Sequence, residues 1–264
     1  MPVGAGLHRR RRESVGNELD HGLHTPVRLA GAQFGVVELR RYVMRAGRRD
    51  ELIALFEREF IESQEACRMV PIGHYRDLDD AEAFVWFRGF KAMETRREAL
   101  EAFYQNSPAW LNHRDAANAT MIDSDNVLLL RPARPYSGFD LSNLRRMEPA
   151  QTRPNASFVG VAVLMLSAPA DEACIAAFEG ELLPELERSA QRVAYFVTEQ
   201  RPNDYPRLPV SENWAFVATG VATTRKALNQ WSRHFDELLP APLRTHLIGR
   251  EFLRLEPATR ALFC

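Results

Sequence analysis

The sequence predicts an α+β protein built from two tandem βαββαβ units, and three observations carry that expectation. One order of strand-like and helix-like segments occurs twice along the 264 residues. The two runs, 35–131 and 158–255, are nearly equal in length. Between them, 133–155 holds Pro135, Pro149 and Pro154 and shows little periodicity. Matching order and length point to a duplication.

In the first unit, 34–43 alternates and is rich in Val, Leu and Tyr, which marks a strand. Leu52, Ile53, Leu55, Phe56, Phe60 and Ile61 form one apolar stripe at helical spacing over 50–66, with Asp50 as the expected N-cap after Gly47. Residues 69–76 and 83–87 read as strands joined by the acidic turn 77–80. A helix over 93–104 ends before Pro108, a further helix covers 109–119, and 126–131 is an apolar strand closed by Pro132. In the second unit, 158–166 is a strand. A helix over 171–188 aligns Ile175, Phe178, Leu182 and Leu186, with a kink expected at Pro184. Strands at 192–199 and 213–221 follow, then a helix over 224–239 with Leu228, Trp231 and Phe235 aligned, and a last strand at 248–255.

Each unit is therefore expected to be a ferredoxin-like domain, at 33–132 and 156–258, with 133–155 as the linker. Residues 1–32 carry an arginine run from Arg9 to Arg12 and almost no apolar periodicity, so they read as a disordered arm. A βαββαβ unit makes a four-stranded antiparallel sheet with both helices on one face. The bare face must pack against something. Two such units in one chain can close on each other as a pseudo-dimeric α/β barrel, with helices outside and a lumen between the sheets.

Composition narrows the function. Lys plus Arg is 34 against 35 for Asp plus Glu, a formal charge of −1, which argues against a nucleic-acid binder. No apolar run approaches the ~20 residues of a bilayer span, so no membrane span is expected. Cys67, Cys174 and Cys264 are too few and too scattered for a disulfide framework or a zinc site, and they fit a reducing cytoplasm. Neither GxSxG nor a GxxxxGK phosphate loop occurs. No metal and no cofactor is expected from these patterns.

Several stretches resemble the NIPSNAP family. They are Val37-Glu38-Leu39-Arg40-Arg41-Tyr42 with Gly47, Phe84-Val85-Trp86-Phe87-Arg88-Gly89-Phe90, the run from His113 to Met121, and the run from Asp125 to Pro132. Arg244 to Gly249 and Leu253-Arg254-Leu255 extend the resemblance into the second half, to about residues 33–262. Bacterial relatives often carry Gln where this chain has His74. The resemblance implies the dimeric α/β barrel superfamily, which holds cofactor-free monooxygenases, polyketide-modifying enzymes and haem enzymes. It transfers no common reaction. Haem stays an alternative, with His234 and His246 as candidate ligands, although no pair of histidines has an HxxxH spacing and no CxxCH occurs.

Strand parity selects the candidate site. If the apolar set Val37, Leu39 and Val43 faces the helices, then Glu38, Arg40, Tyr42, Trp86 and Arg88 face the lumen, joined by His74 and Arg76. The second half is apolar on both strand faces, so the expected lumen has one cationic wall and one greasy wall. This suits a hydrophobic molecule bearing a carbonyl or carboxylate. His74 is the candidate base, Glu38 its orienting carboxylate and Arg88 the oxyanion stabiliser. Arg40, Tyr42, Arg76, Trp86 and His113 are the candidate substrate contacts. The catalytic version is a cofactor-independent monooxygenase, isomerase or cyclase of secondary metabolism. The alternatives are a non-catalytic binding or scaffold protein, in which Glu38 and the arginines only satisfy one another, and a haem enzyme. A homodimer is the expected assembly.

Overall fold

Residues 34–149, 151 and 157–264 are described by the structure, a computed structural model. The arm expected over 1–32 lies outside them. The first half runs β1 (Val36–Met44), α1 (Arg49–Leu55), a π-helical turn (Phe56–Phe60), α2 (Ile61–Ala66), β2 (Val70–Asp77), β3 (Ala83–Phe90), α3 (Met93–Glu101), a second π turn (Ala102–Asn106), α4 (Pro108–Asn118) and β4 (Met121–Pro132). The second half runs β5 (Phe158–Leu166), α5 (Glu172–Ala177), a third π turn (Phe178–Leu182), α6 (Leu183–Ser189), β6 (Arg192–Thr198), β7 (Trp214–Ala222), α7 (Arg225–Glu237), α8 (Ala241–His246) and β8 (Leu247–Pro257).

Helix starts follow local chemistry. Asp171 caps α5 by accepting from the Cys174 amide, Thr224 caps α7 by accepting from the Ala227 amide, and Pro108 sits in the first turn of α4, where its missing N–H costs nothing. Asp50 is not the cap of α1. Arg48 holds that position without a side-chain cap, and Asp50 lies in the first turn, accepting from Arg76 at 2.7 Å. The kink expected at Pro184 appears as the π turn just before it, which leaves the proline in the first turn of α6.

All eight strands pair antiparallel into one closed barrel in the order β1-β3-β2-β8-β5-β7-β6-β4. Each half contributes a four-stranded sheet. Two short seams join the halves: Tyr75 to Asp77 of β2 along β8, and Leu130 to Pro132 of β4 along β6. The seams are equivalent under the duplication, since each links the last strand of one unit to the second strand of the other. Helices lie outside both sheets.

The strand faces are the reverse of the expected ones. Val37, Leu39, Val85 and Phe87 point into the lumen, where they meet Val159, Val161, Val163 and Val217 of the second sheet. Tyr42, Trp86 and Phe90 point outward onto Phe56, Phe60 and Phe103 of the helix layer. The physical reason is partner supply. Behind Glu38 and Arg88 the lumen is lined by apolar side chains, whereas the helix layer supplies polar partners to Glu38 and the arginines. The second half, apolar on both faces, packs Ala162, Leu164 and Phe216 onto its helices as well.

The linker is part of the core. Phe139 enters the lumen with its ring centroid 5.1 Å from Phe87, 4.9 Å from Phe196 and 4.7 Å from Phe263. The chain end supports it from below: the amides of Leu262 and Phe263 both donate to the Ile72 carbonyl at 3.0 Å, and the Tyr75 hydroxyl donates to the Phe263 carbonyl at 2.8 Å. Linker and tail thus stopper one end of the barrel. No helix of the described residues is long and apolar enough to cross a membrane.

Candidate functional site

Two places hold the groups that could carry function, and they lie on opposite faces of the first sheet. The first is the buried charge cluster behind that sheet. Glu38 on β1 stands directly opposite Arg88 on β3. Its Oε2 accepts from Arg88 Nη2 at 2.6 Å and Nε at 3.0 Å, and from Arg40 Nη1 at 3.0 Å. Its Oε1 accepts from Arg96 Nη2 at 2.6 Å and Nε at 2.9 Å. Burial alone would raise the Glu38 pKa, but Arg88, Arg40 and Arg96 outweigh it and hold the carboxyl far below the usual carboxylate range. The outer donors are also taken. Arg40 Nε donates to the Tyr42 hydroxyl at 2.9 Å, Arg88 Nη1 donates to the Tyr104 hydroxyl at 3.1 Å, and Arg96 pairs with Asp204. Trp86 lies beneath the guanidinium groups of Arg40 and Arg88, 5.7 and 5.1 Å from its ring.

Two π turns deliver side chains to this layer, Glu57 from the first and Tyr104 from the second. His74 Nε2 lies 2.9 Å from Glu57 Oε1, which also accepts the Arg260 amide at 2.8 Å. Desolvation lowers the His74 pKa, and the Glu57 hydrogen bond and charge restore only part of the loss. Burial thus favours the uncharged imidazole, whose Nε2 faces the Glu57 carboxylate. The His74 Nδ1, like the indole Nε1 of the cross-strand neighbour Trp86, is buried without a partner among the described residues.

Glu38, Arg40, Tyr42, Trp86 and Arg88 are thus brought together as the sequence suggests, with His74 beside them, but behind the sheet rather than in the lumen. Arg76 and His113 are not part of the group. Arg76 pairs with Asp50 at the surface, and His113 on α4 sits 3.5 Å from Glu59. Arg96 completes the cluster and was not read from the sequence. Its signal is its place in the apolar stripe of α3, between Met93 and Ala99, where a charge must find a partner inside.

The second place is the open end of the barrel, opposite the stopper. A cavity of 620 Å³ lies there between the two sheets. Leu39, Leu128, Val163 and Met165 give it an apolar lining, and Arg41, Asn126, Asn213 and Glu251 supply polar groups. Arg41 on β1 reaches Glu251 on β8 with both terminal nitrogens, at 2.5 and 2.7 Å, and so ties the two halves together. None of these residues was selected from the sequence. Arg41 carries the readable signal: it shares the parity of Val37 and Leu39, so it is the one charged member of an otherwise apolar lumen set on β1.

The lining of this cavity includes no imidazole, thiolate or phenolate, its one haem-ligand type being the Met165 thioether, and His234 and His246 are not among its residues. Among the described residues no three His, Cys, Asp or Glu side chains converge on a metal-sized site.

A closed eight-stranded antiparallel barrel with helices outside, formed by two ferredoxin-like halves, is a protein of the dimeric α/β barrel type, closed here within one chain. Residues 37–137 match the NIPSNAP family model. No curated protein matches the chain. Among solved structures, the fold is similar to that of a "putative monooxygenase" from Lactobacillus acidophilus NCFM, at 14% identity and a TM-score of 0.51 over 87% of this chain and 97% of that one. It is similar to a second so named, from Fusobacterium nucleatum, at 6% identity and a TM-score of 0.50 over 87% and 95%. A NIPSNAP family protein from Agrobacterium tumefaciens C58 aligns with 38% of this chain and 89% of its own, at 20% identity and a TM-score of 0.35.

Proposed function

We propose that the chain binds a hydrophobic small molecule bearing a carbonyl or carboxylate group, held between its two sheets at the open end of the barrel. The observation that carries this reading is the 620 Å³ cavity, apolar within and polar at one side, at the end that linker and tail leave unstoppered. Small-molecule sites have this character: concave, mostly apolar, with a few polar groups that fix orientation.

The reading is one of binding. The two solved structures of similar fold are named for monooxygenases, and oxygenation, isomerisation or cyclisation would use a base beside the ligand. His74, Glu38 and Arg88 would serve that role only for a molecule behind the first sheet, where their hydrogen bonds are already made within the protein. At the open end the carboxylates of Asp125 and Glu251 are the available bases. A reducing compartment such as the cytoplasm, and a homodimer, complete the proposal. Light scattering decides the second.

The test uses Nile red as a neutral hydrophobic probe. Met165→Trp fills the cavity from its lining. The wild-type protein should bind the dye with a blue-shifted emission, and the variant should lose about tenfold in affinity or more while melting as a folded protein. Equal affinity in the two proteins would reject the site.

A further inference from the structure

The charge arrangement of the cavity points to one class among those that the proposed binding function admits. Arg41 is the cation that an anionic ligand would seek, and it is already engaged. Glu251 takes both of its terminal nitrogens in a fork-to-fork pair at 2.5 and 2.7 Å, the geometry in which a guanidinium binds a ligand carboxylate. The second arginine at the cavity, Arg250, is turned to Asp236 at 3.0 Å. Asp125 adds a further negative charge to the lining. With Arg41 and Arg250 each matched by a carboxylate, the surroundings hold an excess negative charge. A carboxylate or phosphate entering there would have to displace Glu251 and remain beside Asp125.

A neutral acceptor meets no such opposition. The Nε–H of Arg41 is buried out of a ligand's reach and has no partner among the described residues, so the guanidinium has no accessible donor to spare for an anion while Glu251 is bound. Uncharged donors are what the cavity offers instead. The side-chain amides of Asn126 and Asn213 add uncharged donors to the same lining.

We infer that the cavity selects an uncharged hydrophobic molecule with an acceptor oxygen, such as a ketone, quinone or ester, and that Glu251 is the resident counterion that bars anions. The inference rests on the binding function proposed above and narrows it. Glu251 is 47% exposed in its side chain, so its substitution leaves the core untouched.

The experiment compares two probes of one shape, 2-acetylnaphthalene and 2-naphthoate, by calorimetry at pH 7.5 on the full chain and on Glu251→Gln. In the wild type the ketone should bind about tenfold more tightly than the carboxylate or better, since like charge disfavours the anion by more than the 1.4 kcal/mol that tenfold represents. Glu251→Gln leaves the Arg41 charge uncompensated and should narrow or invert that ratio by raising naphthoate affinity. Naphthoate binding as tightly as the ketone in the wild type, or a ratio unmoved by Glu251→Gln, would overturn the inference while leaving a binding site in place. The ketone failing to bind while Nile red binds would do the same. Failure of all three probes would overturn the binding reading along with it.

Discussion

Glu38 and Arg88 face each other across the β1–β3 pair, and the carboxylate takes two of the guanidinium's donors at 2.6 and 3.0 Å with both side chains fully buried. One carboxylate there answers three arginines. Such an arrangement adds less net stability than its hydrogen bonds suggest, because three guanidinium groups have left water to make it. It is, however, costly to break. Glu38→Gln keeps the shape and removes the charge, leaving Arg40 and Arg88 buried with no ionised partner. The expected loss is about 3–5 kcal/mol, read from urea unfolding at pH 7. A loss under about 1 kcal/mol would mean that water or the tyrosine hydroxyls carry the charges instead.

Acid should weaken the same layer in two stages. Burial pushes the His74 pKa down, so the unfolded chain takes up that proton at a higher pH than the folded chain does. Stability is complete above the ordinary value of 6.5 and falls as the pH drops below it, toward the lower value of the folded state. The Glu38 carboxyl, held low by its three arginines, adds a second fall that begins near its ordinary 4.5. His74→Gln keeps a donor for Glu57 and does not titrate. Thermal melts should show the wild type losing stability between pH 7 and pH 5, and His74→Gln flat across that window but still falling below pH 4.5. A wild type level from pH 7 to pH 5 would mean that His74 takes up its proton as readily in the folded chain as in the unfolded one.

How far the sequence could be read follows from these residues. Alternation and helical spacing are local, so the eight strands and the helices other than the short α8 were legible, and equal repeats made the closed barrel legible as well. The grouping of Glu38, Arg40, Tyr42, Trp86 and Arg88 followed from parity and the hairpin alone. What parity cannot say is which face is which. Val37 and Leu39 are apolar and would suit a helix layer as well as a lumen, so the choice turned on partners such as Arg96, Gln64 and Tyr104, which lie 24, 16 or more residues from Arg88 or Glu38 in the chain. The Arg41–Glu251 pair spans 210 residues and the Phe139 insertion has no period, so neither had a local signal beyond a charge in an apolar set.

Phe139 should be worth more than its loop position suggests. It fills the lumen between Phe87, Phe196 and Phe263, where no backbone rearrangement of a closed barrel can collapse the space it would vacate. Phe139→Ala is expected to cost about 3–5 kcal/mol by chemical denaturation. The vacated volume should also extend the open cavity inward, so longer hydrophobic probes should gain affinity in the variant even as the protein loses stability. A loss near zero would show that the linker does not hold the stopper.

Gly73 controls the other half of the stopper. A Cβ at this position would stand 1.8 Å from the Tyr75 hydroxyl and 2.4 Å from Cζ, far inside contact. The ring cannot simply turn away, because Tyr75 is fully buried, packs against Phe87 with centroids 6.3 Å apart, and donates its hydroxyl proton to the Phe263 carbonyl at 2.8 Å. Gly73→Ala must therefore displace the tyrosine and with it the chain end. The expected cost is about 1–3 kcal/mol from overpacking, together with faster hydrogen exchange at the Leu262 and Phe263 amides, whose shared acceptor is the Ile72 carbonyl beside the substitution. Tyr75→Phe separates the two effects: it deletes the hydroxyl, should cost only about 1 kcal/mol, and should relieve the hydroxyl's share of the clash when combined with Gly73→Ala, with Cζ still 2.4 Å away. If the double variant is no more stable than Gly73→Ala alone, the ring rather than its hydroxyl is what the alanine strikes. Unchanged exchange at the chain end in all three proteins would mean that Tyr75 does not anchor the tail.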